Sequence, residues 1–156
     1  MIISTSCSIR NNGGMAIPTP EPGLTISYAY VWDREAQCGQ EEGRKDRPCV
    51  IALAVERQPD GETLVTVLPV THRPPADPEA AIEIPPAVKR HLGLDGERSW
   101  VIVSEGDQFV WPGYDLRKVR GTDRFDYGFL PPRFFNTILV AFRAWRQKHK
   151  VKVVTR

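Results

Sequence analysis

Residues 24–32, "LTISYAYVW", are nearly all β-branched, aromatic or small, a composition that suits a pleated, half-buried surface and predicts a first strand. Residues 48–56, "PCVIALAVE", form an almost unbroken apolar run. Pro59, Asp60 and Gly61 then supply turn chemistry before a second apolar run, "TLVTVLPV", at 63–70. Two apolar runs flanking such a turn predict a β-hairpin. "IPPAVKRHLGL" predicts one or two helical turns, entered through prolines and stopped at Gly93. "SWVIVSEGDQFVW" predicts two more strands, with Gly106 and Asp107 turning between them. In "PPRFFNTILVAFRAWRQKHK", Phe135, Ile138, Leu139, Phe142 and Trp145 recur at three- and four-residue spacing, so a terminal helix should lay that face on the sheet.

Five or so short strands and one terminal helix describe a mainly β protein: a small, curved antiparallel barrel with a C-terminal helix. No repeat interrupts it. Residues 1–23 contain Gly13-Gly14 and three prolines with little apolar periodicity, and are expected to be poorly ordered. Met15 is an alternative start to the reading frame. Residues 24–150 then make the folded domain and 151–156 a basic tail. Between Arg143 and Arg156 the chain carries six Lys or Arg and no acid.

At 156 residues the chain can bury one core without metal or disulfide. Cys7, Cys38 and Cys49 are odd in number and have no metal-ligand spacing, which fits a reducing, cytoplasmic setting and gives no support to zinc. The net charge of +2 is too small to mark a nucleic-acid binder, so the placement of charge matters more than its total. Arg44, Lys45 and Arg47 crowd the entry to the first hairpin strand. With the turn at Asp60-Gly61, positions whose numbers sum to about 121 face each other, so Thr71 lies opposite Val50 and shares one end of the hairpin with Arg47. The offset is about 10 Å along the strand, within reach of an Arg and a Thr that share a face. Pro48 is expected at the first strand position, where no ladder donor is needed. A planar guanidinium fork and a neutral hydroxyl suit phosphate oxygens.

These residues resemble the MazF/PemK family of type II toxin-antitoxin toxins, in particular the PemK growth-inhibitor branch. The likeness lies in "YVWDREAQCGQEEGRKDRPCVIAL" and "VTVLPVTH": an aromatic strand, a Gly-x-Glu loop, K-x-R-P before a β run, then P-x-T. It spans about Gly23 to Arg117. The resemblance implies an SH3-like barrel that forms a homodimer, cleaves single-stranded RNA without a metal or other cofactor, and is silenced by a cognate antitoxin protein. It places the catalytic Arg on Arg47 and the catalytic Thr on Thr71. The loop Glu falls on Glu42, with Glu41 competing because the loop is one residue longer. A later Asp-Gln pair falls on Asp107-Gln108, preceded here by Glu105 where some members carry a cation.

Metal-free RNA cleavage needs an acceptor for the 2′-hydroxyl proton and a clamp for the phosphorane charge. Arg47 and Thr71 suit the clamp; Glu42 is the candidate base and His72, next to Thr71, the alternative, with Glu41 and Asp107 also open. Arg44, Lys45, His72 and Gln108 are the expected RNA contacts. Two other readings belong with this pattern: a gyrase-targeting toxin of the CcdB type, which lacks the K-x-R-P cluster, and a degenerate nucleic-acid-binding barrel without activity.

Overall fold

A computed structural model describes residues 9–10, 16–32, 45–57, 60–149 and 152–155. Two short strands, β1 (Ile9–Arg10) and β2 (Ala16–Ile17), pair with each other. Residues 18–23 follow β2 into the main sheet, where the Gly23 amide donates to the Ile51 carbonyl at 2.8 Å.

The main sheet contains β3 (Leu24–Tyr30), β4 (Lys45–Arg57), β5 (Glu62–Thr71), β6 (Ala81–Glu83), β7 (Trp100–Ile102), β8 (Glu105–Val110), β9 (Asp126–Phe129) and β10 (Lys152–Thr155). Its strand order is β10-β8-β5-β4-β3-β9, with β7 on the far end of β5 and β6 beside β7. All pairings are antiparallel except β10 with β8, so residues 152–155 of the basic tail form a parallel edge strand. The mainly β architecture with a C-terminal helix is the expected one. Closure is not: β9 and β10 stand at opposite ends of the path, and among the described residues the sheet is open.

The hairpin β4–β5 forms as expected, with Gly61 at φ +72° in its turn. Its register differs. Val50 faces Leu68 rather than Thr71, because the pairing starts at Arg57–Glu62 and a bulge at Ala52 slips it by one more residue. Pro48 also lies inside β4 rather than at its start, paired with Ser27 of β3. The last β4–β5 pair is Cys49–Pro69; beyond it Val70 and Thr71 pair with Val101 and Trp100 of β7. Pro48 and Pro69 both lack an amide proton, so the ladder loses donors on both strands at the level where they part. That divergence opens a cleft.

Gly106 and Asp107 are not a turn. Both lie within β8, and the chain reverses at Val103-Ser104 instead. Gly106 is required there by close approach: a Cβ at this position would lie 2.6 Å from the Val67 carbonyl oxygen of β5.

Each face of the sheet carries its own core. On one, Val50, Leu68, Val70, Val101 and Val103 pack against two helices, α1 (Pro86–Leu92) and α2 (Pro132–Lys148). The face read from the sequence of α2 is the one that docks: Ile138 and Phe142 are buried, and Phe135, Leu139 and Trp145 pack around them. Each fully buried side chain contributes about 1.5–3 kcal/mol. On the other face, Ile26, Tyr28, Tyr30, Cys49, Ile51, Val67, Phe109 and Trp111 form the second core. No helix among the described residues is long and apolar enough to cross a membrane.

Candidate functional site

The cleft has a volume of 590 Å3 and is lined by Asp46, Arg47 and Pro48 of β4, Val70 to His72 at the end of β5, Lys89 of α1, Gly93 to Asp95 and Ser99 of the loop after it, and Val119, Arg120 and Tyr127. That size falls within the roughly 300–1,000 Å3 typical of small-ligand sites.

Arg47 enters from β4, half-buried. Its Nη1 donates to the Val70 carbonyl at 3.4 Å, and its guanidinium carbon stands 5.0 Å from the centroid of the Trp32 ring. Trp32 thus backs the arginine with a π-face that favours the cation. The buried Nε of Arg47 has no hydrogen-bond partner, and no carboxylate pairs with the guanidinium, among the described residues. Thr71 Oγ1 accepts the Arg73 amide at 3.2 Å, which leaves the hydroxyl proton to donate into the cleft.

His72 follows immediately. Its Nε2 lies 2.9 Å from Asp95 Oδ2 and 3.2 Å from Oδ1. Asp95 is presented by the C-terminal stop of α1: Gly93 takes the left-handed conformation, φ +70°, and the Leu94 amide donates back to the Lys89 carbonyl. The reversal brings the carboxylate over Lys89, which is only 5 % exposed. The Lys89 ammonium donates to Asp95 Oδ1 at 2.6 Å, to Ser99 Oγ at 2.7 Å and to the Glu97 carbonyl, so all three of its donors have acceptors. The Lys89 hydrogen bond holds the Asp95 carboxyl below its ordinary range, despite a smaller opposing effect of burial. His72, Asp95 and Glu97 also bring one donor atom each within 4.8 Å of one another, a loose arrangement open to solvent. An ammonium already on Asp95 opposes a cation there. On the far wall, burial pushes the Tyr127 phenol up, while a hydrogen bond with Ser27 draws it back.

Arg47, Thr71 and His72 therefore meet in one cleft. Lys45 opens β4 opposite Tyr30, at the same end of the strand. Glu41, Glu42 and Arg44 lie outside the described residues. Gln108 is not brought to the cleft; it pairs with Thr66 within β8, beyond β5. Asp107 does not line it either. Its side chain is fully buried in the second core, near Cys49 and Tyr30, where Tyr30 donates to Glu105 Oε2 at 2.9 Å. Burial, with Glu105 and Asp107 adding to it, drives the Tyr30 phenol well up; burial likewise raises the Cys49 thiol.

The sequence pattern did not single out Lys89, Asp95, Ser99, Arg120 or Tyr127. Lys89 sits in "VKRH" and reads as one more solvated helix cation, and Asp95-Gly96 reads as a turn. Only Gly93 as a left-handed stop hinted that the chain doubles back over the helix end.

Comparison with protein-family models, with curated proteins and with solved structures gives no match to this chain.

Proposed function

We propose that the protein is a growth-inhibiting toxin that acts as a metal-independent endoribonuclease on single-stranded RNA. The observation that carries this reading is the convergence, in one cleft, of an arginine without a carboxylate partner among the described residues, a threonine hydroxyl with its proton to give, and a histidine held by an aspartate. A phosphodiester needs these groups. Arg47 and Thr71 hold the charge that grows on the phosphorane oxygens, and His72 takes the proton of the 2′-hydroxyl as it attacks the adjacent phosphorus. The products are a 2′,3′-cyclic phosphate and a 5′-hydroxyl, with the leaving oxygen protonated by water. Arg120 extends the cationic wall along which the RNA backbone runs.

The MazF/PemK-like motifs support the same reading and add a homodimer and a cognate antitoxin partner, working in the cytoplasm. A monomer mass by light scattering at micromolar concentration would remove the dimer. The experiment for the activity is incubation of purified protein with a single-stranded RNA in EDTA, with the ends of the fragments identified. Cyclic-phosphate and 5′-hydroxyl ends are expected; intact RNA, or 5′-phosphate ends, would refute the mechanism.

A further inference from the structure

The network behind His72 is larger than packing requires. Taking an ammonium out of water costs several kcal/mol, and an apolar side chain as long as Lys89 would fill the same space without that cost. What Lys89 adds is a fixed, ionised carboxylate. Its ammonium and the Glu97 amide, at 3.1 Å, both donate to Asp95 Oδ1, so Oδ2, the nearer oxygen to His72 Nε2 at 2.9 Å against 3.2 Å for Oδ1, is the one left to accept from it. An ionised carboxylate only accepts hydrogen bonds, so the imidazole must carry a proton on Nε2.

We propose that Asp95 is a positioning residue for His72: it fixes the neutral imidazole as the Nε2–H tautomer and leaves Nδ1 as the nitrogen that accepts the 2′-hydroxyl proton. In that step the 2′-oxygen forms its bond to phosphorus, its proton passes to Nδ1, the bond from phosphorus to the 5′-oxygen breaks, and that oxygen takes a proton from water. The proton-acceptor role rests on the ribonuclease reading above; the tautomer rests on the geometry alone. The competing account is that Lys89, Asp95 and Ser99 only pin the loop after α1, with His72 an incidental partner at the surface.

Asp95→Asn separates the two. In the variant the amide oxygen stays with its two donors, Lys89 and the Glu97 amide, so the loop remains pinned. The NH2 group then faces Nε2, which must accept, and the proton moves to Nδ1. Long-range 1H–15N NMR of labelled protein, above the pH at which His72 takes up a proton, reads the tautomer directly. His91 and His149 serve as internal controls for an unchanged fold. Nε2–H is expected in the wild type and Nδ1–H in Asp95→Asn. A mixture or Nδ1–H in the wild type, a result that needs no variant, overturns the proposal; so does an unchanged tautomer in Asp95→Asn.

On RNA, Asp95→Asn should lower kcat by about a hundredfold, the scale of a lost general base, with KM within about twofold. An unchanged kcat removes Nδ1 as the acceptor. If the wild type itself leaves RNA intact, the ribonuclease reading fails and takes the acceptor role with it, while the NMR result still decides whether Asp95 positions His72.

Discussion

Arg47 occupies a position that suits an arginine and not a lysine. The guanidinium carbon stands 5.0 Å from the Trp32 ring centroid and the Val70 carbonyl takes one Nη1 proton at 3.4 Å, so the group is held from two sides before any ligand arrives. A preset fork can meet two phosphate oxygens at once, whereas an ammonium on a flexible stem meets them as a point charge. Arg47→Lys should therefore reduce RNA cleavage by about 10²-fold, the cost of one lost contact to transition-state charge, and leave the melting temperature within a few degrees. Cleavage rates on one RNA beside a thermal melt check this; a lysine variant near wild-type rate would show that charge alone suffices. Arg47, Thr71 and His72 were legible because each belongs to a short run of neighbouring residues: a cation cluster before an apolar strand, and a hydroxyl and imidazole at the end of its hairpin partner. Lys89 and Asp95 were not. Six residues apart, they meet only through a left-handed turn, and nothing in "VKRHLGLD" distinguishes a buried ammonium from a solvated one.

Elements carry a different lesson. Helix α2 was legible because its apolar spacing is helical throughout, and hairpin β4–β5 because turn chemistry sits between two apolar runs. The reversal between β7 and β8 was misread because Gly-Asp is turn chemistry locally. Gly106 serves the strand, giving the Val67 carbonyl room at a distance no Cβ tolerates. Gly106→Ala should accordingly push β8 off β5 and destabilise the fold by about 1–3 kcal/mol, the usual cost of overpacking. Chemical denaturation measures it, and a variant as stable as wild type would contradict the strand pairing at Val67–Asp107. The loop after α1 makes its own prediction. Because Lys89 depresses the folded-state pKa of Asp95, the carboxylate's contribution is present above its ordinary value of 3.8 and is lost as pH falls through the lower folded value. The Glu97 amide, which donates to that carboxylate, should report the change as a chemical-shift titration with a midpoint below 3.8. A midpoint at or above 3.8 would mean that Lys89 does not hold Asp95.

At the scale of the molecule, the cleft lies where the sheet comes apart. β5 leaves β4 next to Pro48 and Pro69, one on each strand, and joins β7, while the two cores hold opposite faces of the sheet without using Arg47, Thr71 or His72 as packing residues. Their side chains can change while both cores stay intact. Expression of the chain from an inducible promoter in a bacterium should therefore stop growth, and expression of Arg47→Ala to the same soluble level should not. Growth arrest alone would not separate RNA cleavage from poisoning of gyrase, since both halt division. The two differ in what reaches the RNA. A ribonuclease shortens cellular transcripts within minutes of induction, and purified protein cuts RNA with gyrase absent. A gyrase poison does neither. Arrest without shortened transcripts would leave the cleft as something other than an RNA-cleaving site. Normal growth with abundant soluble wild-type protein would count against a toxin of either kind.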